Sequence, residues 1–287
     1  MPDRVTSVGP APGLGYGPPV TTRAYVRLGN GAGVEESGAV AEEVPVAFVY
    51  GARSHVVMMA TPLDLEDLAV GFTLTEGIVA DRREIGAIAV ERHSRGIELR
   101  IEIPAEAAER VAARGRAISG RTGCGLCGVE AIDDAVRAPR KVTSTLAIGA
   151  AALWRAGAEL DERQPLNRDT RAIHAAAWAT PEGALQVVRE DVGRHNALDK
   201  VIGALARAGT DPSTGFLIVT SRASFELVQK AAAAGVPILA AVSRPTGLAI
   251  RLADDAGMAL IGLLRGESAT VYCHAERVRR WCNEERQ

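Results

Sequence analysis

The sequence predicts an α/β protein composed of a small N-terminal α+β unit and a larger layered α/β unit. Between residues 185 and 264, short apolar runs alternate with helical patterns, which is typical of a parallel or mixed sheet covered by helices. Residues 44–103 instead predict two pairs of strands around one helix. With 287 residues, of which 47% are hydrophobic, the chain is long enough to form two cores.

The N-terminal unit is expected to follow a ββαββ order. Gly51 lies between two apolar runs and indicates the turn of a β-hairpin. Acidic residues after Pro62 are typical of a first helical turn, and Leu65, Leu68 and Phe72 recur at helical spacing, so this helix is expected to lie on the hairpin. The four strands are predicted over residues 44–50, 54–60, 85–91 and 97–103.

The C-terminal unit is predicted to be regular after a less regular connection. A short helical pattern covers residues 106–114, and residues 129–165 are expected to be partly helical. Strands are then predicted over residues 185–189, 216–220, 237–242, 258–264 and 269–273, and helices over 196–206, 225–234 and 246–256. We divide the chain into four segments. Residues 1–22 are expected to be a disordered tail, residues 23–118 a small α+β domain, residues 119–128 a mobile cysteine loop and residues 129–287 a layered α/β domain.

Composition argues against several kinds of function. A net charge of −2 provides no bulk attraction for nucleic acid or for an anionic membrane. The longest apolar runs are too short to span a bilayer, and residues 1–20 lack the apolar core of a signal peptide. Four cysteines in a chain of this length do not form a secreted disulfide framework. We therefore expect a cytoplasmic protein that binds neither nucleic acid nor membrane.

The most distinctive stretch is Arg121-Thr122-Gly123-Cys124-Gly125-Leu126-Cys127-Gly128. Glycine loses the most backbone freedom on ordering, so three glycines in this stretch predict a mobile loop rather than a helix or strand. The guanidinium groups of Arg116 and Arg121 are close in sequence, and positive charge favours the nucleophilic thiolate form of cysteine. The loop is therefore expected to present two reactive thiols, at Cys124 and Cys127.

Four interpretations of Cys124 and Cys127 remain open on the pattern alone. A structural zinc site needs four ligands, and Cys273 and Cys282 form no second closely spaced pair. A thioredoxin-like dithiol would open a helix directly after a strand, whereas glycines surround this pair. A carrier cysteine would hold sulfur as a persulfide, and an inert pair is the fourth interpretation. A zinc deaminase does not fit, because no proline precedes Cys124 and no glutamate follows His174 at the required spacing.

Arginine recurs where the predicted strands of the C-terminal unit end. Ligands of open α/β sheets collect where strands lead into helices, and helix N-termini favour anions. Arg194, Arg222, Arg244 and Arg265 follow four of the strands, usually with Ser or Thr nearby. This edge predicts a phosphate-bearing ligand, although each Ser or Thr taken alone would be interpreted as a helix cap.

Two histidines are weaker candidates for the same site. His195 follows Glu190 and Asp191 and precedes Asp199, so it would be either a proton shuttle or a histidine paired with one of these carboxylates. His174 lies among small apolar residues, where a partly buried and hydrogen-bonded histidine is the commoner outcome.

Six stretches of the chain are distinctive in combination, namely residues 42–46, 68–78, 121–128, 174–176, 190–200 and 221–230. Together they resemble one family, the formate dehydrogenase accessory sulfurtransferases called FdhD. The cysteine loop and the run from Glu190 to Lys200 are highly specific in combination, and Arg171 departs from the pattern because glycine is common there. The resemblance extends over nearly the whole chain from about residue 40.

The resemblance implies a cytoplasmic sulfurtransferase. Such a protein takes sulfur from a cysteine desulfurase and passes it to the molybdenum cofactor destined for formate dehydrogenase. Cys124 would correspond to the persulfide-carrying cysteine and Cys127 to its partner in the loop. The ligand and sulfur acceptor would be molybdenum bis(molybdopterin guanine dinucleotide), and no separate metal site is expected. A thiol–disulfide oxidoreductase and a cofactor-binding chaperone for formate dehydrogenase maturation remain as alternatives.

The resemblance also implies a fold, an assembly and a set of binding residues. The larger domain would have a cytidine-deaminase-like fold, and the protein would form a homodimer. The cofactor-binding stretch of the family would correspond to residues 263–268, one of the arginine-bearing strand ends. The binding residues predicted from this stretch and from the same edge are Leu263, Leu264, Arg265, Gly266, Glu267, Ser268, His174, Arg194, His195, Ser221, Arg222 and Ser243.

Overall fold

A computed structural model describes residues 13–29, 31–116 and 138–279. The predicted cysteine loop, with Cys124 and Cys127, and most of the predicted tail lie outside these residues. The helices are α1 (Leu65–Thr75), α2 (Ala105–Arg116), α3 (Ala150–Glu162), α4 (Pro165–Thr170), α5 (Arg194–Ala208), α6 (Phe225–Ala233) and α7 (Gly247–Ala256). The strands are β1 (Val20–Gly29), β2 (Ala32–Ala41), β3 (Val44–Tyr50), β4 (Arg53–Ala60), β5 (Ile88–His93), β6 (Gly96–Ile101), β7 (Ile148–Gly149), β8 (His174–Ala179), β9 (Leu185–Asp191), β10 (Phe216–Val219), β11 (Ile238–Ala241), β12 (Ala259–Arg265), β13 (Ser268–Cys273) and β14 (Val278–Arg279).

The N-terminal unit contains a four-stranded sheet in the order β4–β3–β6–β5. The predicted hairpin, helix and following strand pair are confirmed as β3 and β4, α1, and β5 and β6. Strand β3 is antiparallel to β4 and parallel to β6. Its alternate residues point inward, and Phe48 is fully buried with Leu68 of α1 and Leu99 of β6. The side chains of β3 that point to one face of the sheet, at every second residue, therefore form part of the core of this unit.

The C-terminal unit contains a six-stranded mixed sheet in the order β13–β12–β11–β10–β8–β9. The predicted alternation of strands and helices from residue 185 onward is confirmed. Helices α5, α6 and α7 cover one face and α3 contributes to the buried cluster on the other. Both the small N-terminal sheet and this layered sheet agree with the predicted α/β class.

Strand β8 is the main element of this sheet that the sequence analysis does not predict. Four of its six residues are alanine, which has a low intrinsic preference for strands. Ala176 and Ala177 are nevertheless fully buried between the two helical layers. Burial on both faces therefore decides the conformation, as it often does for central strands.

The chain also forms a hairpin where no element is predicted. Strands β1 and β2 pair antiparallel over their full length. The first residues of β1 belong to the segment assigned to the tail, because Pro and Gly dominate the sequence before Val20. Glycines at 33 and 38 interrupt the apolar alternation of β2, which hides the strand from pattern analysis.

The two units contact each other directly through helices α1 and α5. A β-carbon at Gly71 would overlap the carbonyl oxygen of Asp199, and one at Gly203 would overlap that of Asp67. The helix backbones therefore touch at two glycines. Beside this crossing, the buried carboxylate of Asp67 accepts a hydrogen bond from Arg189 Nε at 2.9 Å, which ties α1 to β9.

Candidate functional site

The sheet topology brings the predicted site residues to one edge. Strands β10, β11 and β12 are parallel, and β9 runs in the same direction because both β9 and β10 are antiparallel to β8. The carboxyl ends of four strands therefore meet at one edge, as predicted. Strand β8 runs the other way, so its first residue, His174, lies at the same edge opposite Asp191.

Within the described residues, three helices start at this edge, and two of them lack a side-chain cap. Thr246 caps α7 by accepting a hydrogen bond from the backbone N–H of Ala249 at 3.2 Å. Helix α5 follows Gly193, which has no side chain, and the Ser224 side chain before α6 makes no capping bond. The unpaired N–H groups of α5 and α6 therefore remain available to an anion.

A cluster of polar side chains fills the space between the starts of α5 and α6. The Nε2 atom of His195 lies 2.8 Å from Oε2 of Glu226, although the two atoms are not aligned as a hydrogen bond. Arg194 lies 3.7 Å from the same oxygen. Within the described residues, Arg194 Nε, His195 Nε2 and Ser224 Oγ are buried atoms without a hydrogen-bond partner. Buried polar atoms normally have partners, so this cluster is suited to a polar ligand.

His174 lies close enough to this cluster to be affected by its charge. Burial lowers the pKa of His174 below its usual 6.5, and the positive charge of Arg194 and the nearby imidazole of His195 lower it further. The carboxylate of Asp191 opposes this shift without reversing it. The neutral imidazole has one N–H donor and one acceptor nitrogen, so His174 can bind a ligand without adding a charge.

We expect His174 to titrate below pH 6.5. Because its pKa is lower in the folded state than in the unfolded one, His174 stabilises the fold above pH 6.5, and this contribution is lost as the pH falls through the folded pKa. NMR titration of the imidazole Cε1 proton measures the midpoint. Replacing Arg194 by Ala should raise that midpoint, because it removes a nearby positive charge.

His274 provides an internal control for this titration. Its partial burial would lower the pKa, but the hydrogen bond with Glu276 and the nearby Asp254 outweigh burial and raise it. Its midpoint should therefore lie above that of His174. If His174 titrates above pH 6.5 in the full-length protein, the electrostatic description of this cluster is wrong.

The next two strand ends contribute Ser221, Arg222 and Ser243. Ser221 is buried and donates a hydrogen bond to the carbonyl oxygen of Arg222 at 3.0 Å, while the Arg222 side chain is exposed at the edge. The carbonyl oxygen of Ser243 accepts a hydrogen bond from the N–H of Leu263 at 3.2 Å. Ser243 therefore ties the end of β11 to the predicted binding stretch.

The stretch from Leu263 to Ser268 contains a β-bulge. Leu263 and Leu264 together lie opposite Ala269, and Leu263 has a φ of 56°, a left-handed conformation that is costly for a branched residue. Leu264 is 4% exposed and belongs to the core, which leaves only its backbone to contact a ligand. The residues after the bulge form an exposed turn: Arg265, Gly266, Glu267 and Ser268.

The carboxylates that the sequence places near His195 have other partners. Glu190 accepts hydrogen bonds from the backbone N–H groups of Leu166 and Asn167 at the start of α4. Asp191 forms a fully buried ion pair with Lys200, at 2.6 Å. These contacts indicate a structural role for both residues.

Asp191 and Lys200 hold the turn into α5 against the N-terminal unit. Asp191 also accepts hydrogen bonds from the backbone N–H of Thr61 at 3.0 Å and from the side chain of Asn196 at 2.9 Å. Lys200 donates a hydrogen bond to the carbonyl oxygen of Thr61 at 3.2 Å. The run from Glu190 to Lys200 therefore shapes the start of α5, where Arg194 and His195 lie.

Asp199 belongs to a second buried ion pair. Lys230 of α6 lies 2.9 Å from Asp199 and 2.8 Å from Glu76. Burial alone would lower the pKa of Lys230, but the two carboxylates outweigh burial and raise it. Burial also raises the pKa of Asp199, although the positive charge of Lys230 opposes this shift. We take the pair as ionised, because the ammonium group also donates to Thr75 and has an oxygen acceptor for each hydrogen.

Glu226 and Ser224 are the site residues that the sequence analysis missed. An acidic residue in the first turn of a helix is common, because it interacts favourably with the helix dipole, so Glu226 carries no distinctive signal. Ser224 is at the N-cap position and would be expected to cap α6. Only the position of α5 beside α6 shows that Glu226 contacts Arg194 and His195.

A group of possible metal ligands on the N-terminal sheet is already paired. Glu91, His93 and Glu98 lie close enough together to hold an ion. Arg100 contacts both carboxylates, at 2.8 Å for Glu91 and 2.7 Å for Glu98. Because both carboxylates already bind the Arg100 guanidinium, these residues do not by themselves indicate a metal site.

The fold and the site define a two-unit α/β protein with histidine, arginine and serine side chains gathered at one sheet edge. Within the described residues, no helix is both long and apolar enough to cross a membrane. The chain belongs to the FdhD/NarQ family, whose model matches residues 41–279.

Relatives and a solved structure agree with this assignment. The chain is 53% identical over 252 residues to the sulfur carrier protein FdhD of Xanthomonas axonopodis pv. citri, covering 88% of this chain and 89% of that protein. It is 49% identical over 254 residues to the sulfur carrier protein FdhD of Bordetella petrii, covering 88% and 91%. The fold is also similar to a crystal structure named as that of a candidate formate dehydrogenase accessory protein from Desulfotalea psychrophila. The two structures superpose with a TM-score of 0.72 and are 26% identical in sequence, and the match covers 91% of this chain and 100% of the other.

Proposed function

We propose that this chain is a cytoplasmic sulfurtransferase for formate dehydrogenase maturation. It accepts sulfur from a cysteine desulfurase as a persulfide on Cys124 and transfers it to the molybdenum cofactor. The observation that carries the proposal is the presence of the Cys124–Cys127 pair in a chain about half identical to proteins named sulfur carriers. The polar cluster at the sheet edge supports the binding of a phosphate-bearing cofactor.

The first step is a transfer between two cysteines. The Cys124 thiolate attacks the outer sulfur of the persulfide on the desulfurase. The sulfur–sulfur bond of the donor breaks, its cysteine leaves as a thiolate, and Cys124 becomes the persulfide. No external oxidant is needed, since one sulfur–sulfur bond replaces another.

Cys127 supplies a balanced route for release of the sulfur. Its thiolate attacks the inner sulfur of the Cys124 persulfide, forms a Cys124–Cys127 disulfide and expels hydrosulfide, which becomes a ligand of the molybdenum substrate. The two cysteines provide the two electrons that reduce the transferred sulfur to sulfide. A cellular dithiol of the thioredoxin class would then reduce the disulfide for the next cycle.

The sheet edge is the proposed binding site for the guanine dinucleotide parts of the cofactor. Pyrophosphate groups match helix N-termini and guanidinium side chains, which are the features at the starts of α5 and α6. Arg194, His195 and Ser224 have buried atoms that such a ligand would satisfy. Arg222 and Arg265 are exposed on the same edge and would contact phosphate from its outer side.

Arg222→Ala is expected to weaken the binding of GDP, used as a probe, by about 10- to 100-fold, because a charge-assisted hydrogen bond contributes about 1.5–3 kcal/mol. Isothermal titration calorimetry on the full-length protein measures the effect, and Arg265→Ala tests the neighbouring turn. The matched control is Arg83→Ala, which removes an exposed arginine paired with Asp81 in the N-terminal unit. Equal affinities in all the variants would contradict the proposed binding edge.

The sulfur-carrier proposal is tested by locating the transferred sulfur. The full-length protein is incubated with a cysteine desulfurase and cysteine, alkylated, and mapped by peptide mass spectrometry. We expect one additional sulfur atom on the peptide that contains Cys124. Sulfur on no cysteine of this chain would refute the proposal and favour a chaperone that binds only the cofactor.

A further inference from the structure

Glu226 places a negative charge at the sheet edge where an anion is proposed to bind. It is the second residue of α6, and its carboxylate lies 2.8 Å from His195 Nε2 and 3.7 Å from Arg194. Its side chain is 17% exposed, less than those of Arg194 at 32% and His195 at 21%. Water screens an enclosed charge less than one on an open surface, so this carboxylate acts on any anion bound at the edge.

The contacts of Glu226 are electrostatic and lack the geometry of hydrogen bonds. The Nε2 atom of His195 is within ion-pair distance, but it is not aligned with the carboxylate and has no hydrogen-bond partner among the described residues. The 3.7 Å distance to Arg194 exceeds that of a hydrogen bond, and Arg194 Nε also has no partner in the described part of the chain. The donors of both residues are therefore left for a ligand, with a carboxylate beside them.

A carboxylate in this position changes which anions the edge can bind. Its charge balances the permanent charge of the Arg194 guanidinium, which reduces the attraction for a highly charged anion. The N–H groups at the helix starts and the Ser224 hydroxyl remain as neutral donors. An anion at the first N–H groups of α6 lies within about one helical turn, roughly 5.4 Å, of Glu226. The site therefore favours a phosphate that accepts hydrogen bonds but carries little charge.

Terminal and bridging phosphates differ in this respect. A phosphate at the end of a chain, as in GDP, keeps a second ionisable proton with a pKa of about 6 and carries about −1.5 to −2 charges at pH 7. A phosphate that is esterified on both sides, as in the pyrophosphate link of a dinucleotide, has a single ionisable proton and carries one negative charge. Repulsion by Glu226 is therefore about twice as large for the terminal phosphate.

We propose that Glu226 makes this edge selective for pyrophosphate diesters over terminal phosphates. The inference rests on the proposed function, in which the ligand contains guanine dinucleotides. Free GDP has the same base, sugar and pyrophosphate as such a ligand and differs from it at the terminal phosphate. Glu226 is thus a specificity-determining residue, because it acts on the group that distinguishes the two.

Calorimetry with two probes on the full-length protein tests this role. The probes are GDP, which ends in a terminal phosphate, and GDP-mannose, in which the same pyrophosphate is a diester. Glu226→Gln is expected to strengthen the binding of GDP about 10-fold, or about 1.4 kcal/mol, and that of GDP-mannose by no more than about 3-fold. The measured quantity is the change in the ratio of the two dissociation constants, which cancels any contribution of the mannose itself.

Two variants control for effects of charge and of helix stability. Glu106→Gln makes the same change at the second residue of α2, an exposed position in the N-terminal unit, and should leave the ratio unchanged. Glu226→Asp keeps the negative charge and should retain most of the wild-type preference. Circular dichroism verifies that each variant is folded.

The outcomes separate this inference from the proposed function. An equal change for both probes in Glu226→Gln, or no change, overturns the selectivity role. Weaker binding of both probes by this variant also overturns it, since the carboxylate would then recognise a group that the probes share, such as guanine. If the wild type binds neither probe, the proposed binding edge is refuted and this inference fails with it, whereas the sulfur adduct on Cys124 still tests sulfur transfer.

Discussion

Cys124→Ala is expected to abolish sulfur acceptance and the activation of formate dehydrogenase. The variant lacks the thiolate that attacks the donor persulfide, so no sulfur should appear on the protein after incubation with a desulfurase and cysteine. Intact-mass spectrometry measures the adduct, and a strain that lacks this protein but produces the variant measures activation. A Cys124→Ala protein that gains the same adduct as the wild type would show that another residue is the carrier.

Two further cysteine variants make this result specific. Cys127→Ala should still accept sulfur on Cys124 but release it slowly, because the second thiol that forms the disulfide is missing. Cys273→Ala should behave as the wild type, since burial raises the pKa of the Cys273 thiol and disfavours its thiolate form. If Cys127→Ala activates formate dehydrogenase at the wild-type rate, the disulfide route for release is wrong. A thiol–disulfide oxidoreductase would instead require both cysteines and show no persulfide.

Lys200→Met is expected to destabilise the protein by about 3–5 kcal/mol, the usual loss when one partner of a buried ion pair is removed. Lys200 and Asp191 are both completely buried and lie 2.6 Å apart, so the variant leaves the Asp191 carboxylate without its cation. Urea unfolding followed by circular dichroism measures the change in the free energy of unfolding.

The matched control for this loss is Lys141→Met. Lys141 is exposed and donates a hydrogen bond to the carbonyl oxygen of Asp255, so its loss should change stability by well under 1 kcal/mol. A loss below about 1 kcal/mol for Lys200→Met would mean that Asp191 is satisfied without the lysine. Reduced GDP affinity in a folded Lys200→Met protein would further indicate that this pair positions the start of α5.

Much of the fold could be predicted because its elements are encoded locally. The run from Phe216 to Val219 and the helix from Phe225 each show the period and flanking residues of their class, and both are confirmed. The hairpin around Gly51 is confirmed for the same reason. Strand β8 could not be predicted, because tertiary burial rather than propensity fixes an alanine-rich strand.

The candidate site could be predicted only in part. The arginines at the strand ends follow from the alternation of strands and helices, which fixes the edge on which they lie. Glu226 could not be assigned to His195, because nothing local to either residue specifies that α5 and α6 begin side by side. The carboxylates adjacent to His195 in sequence bind elsewhere, since Asp191 and Asp199 point toward buried lysines.

The reversed strand β8 also sets the distance between α5 and α6. Neighbouring strands lie about 4.8 Å apart, so placing β8 between β9 and β10 separates these two by nearly 10 Å. Packed helices need 8–10 Å between their axes, which is close to the distance between β9 and β10. Helix α5 can therefore lie beside β9 and helix α6 beside β10 while the two helices still pack against each other. The inserted strand thus matches the spacing of the sheet to that of the helices, and its first residue, His174, lies at the edge where both helices begin.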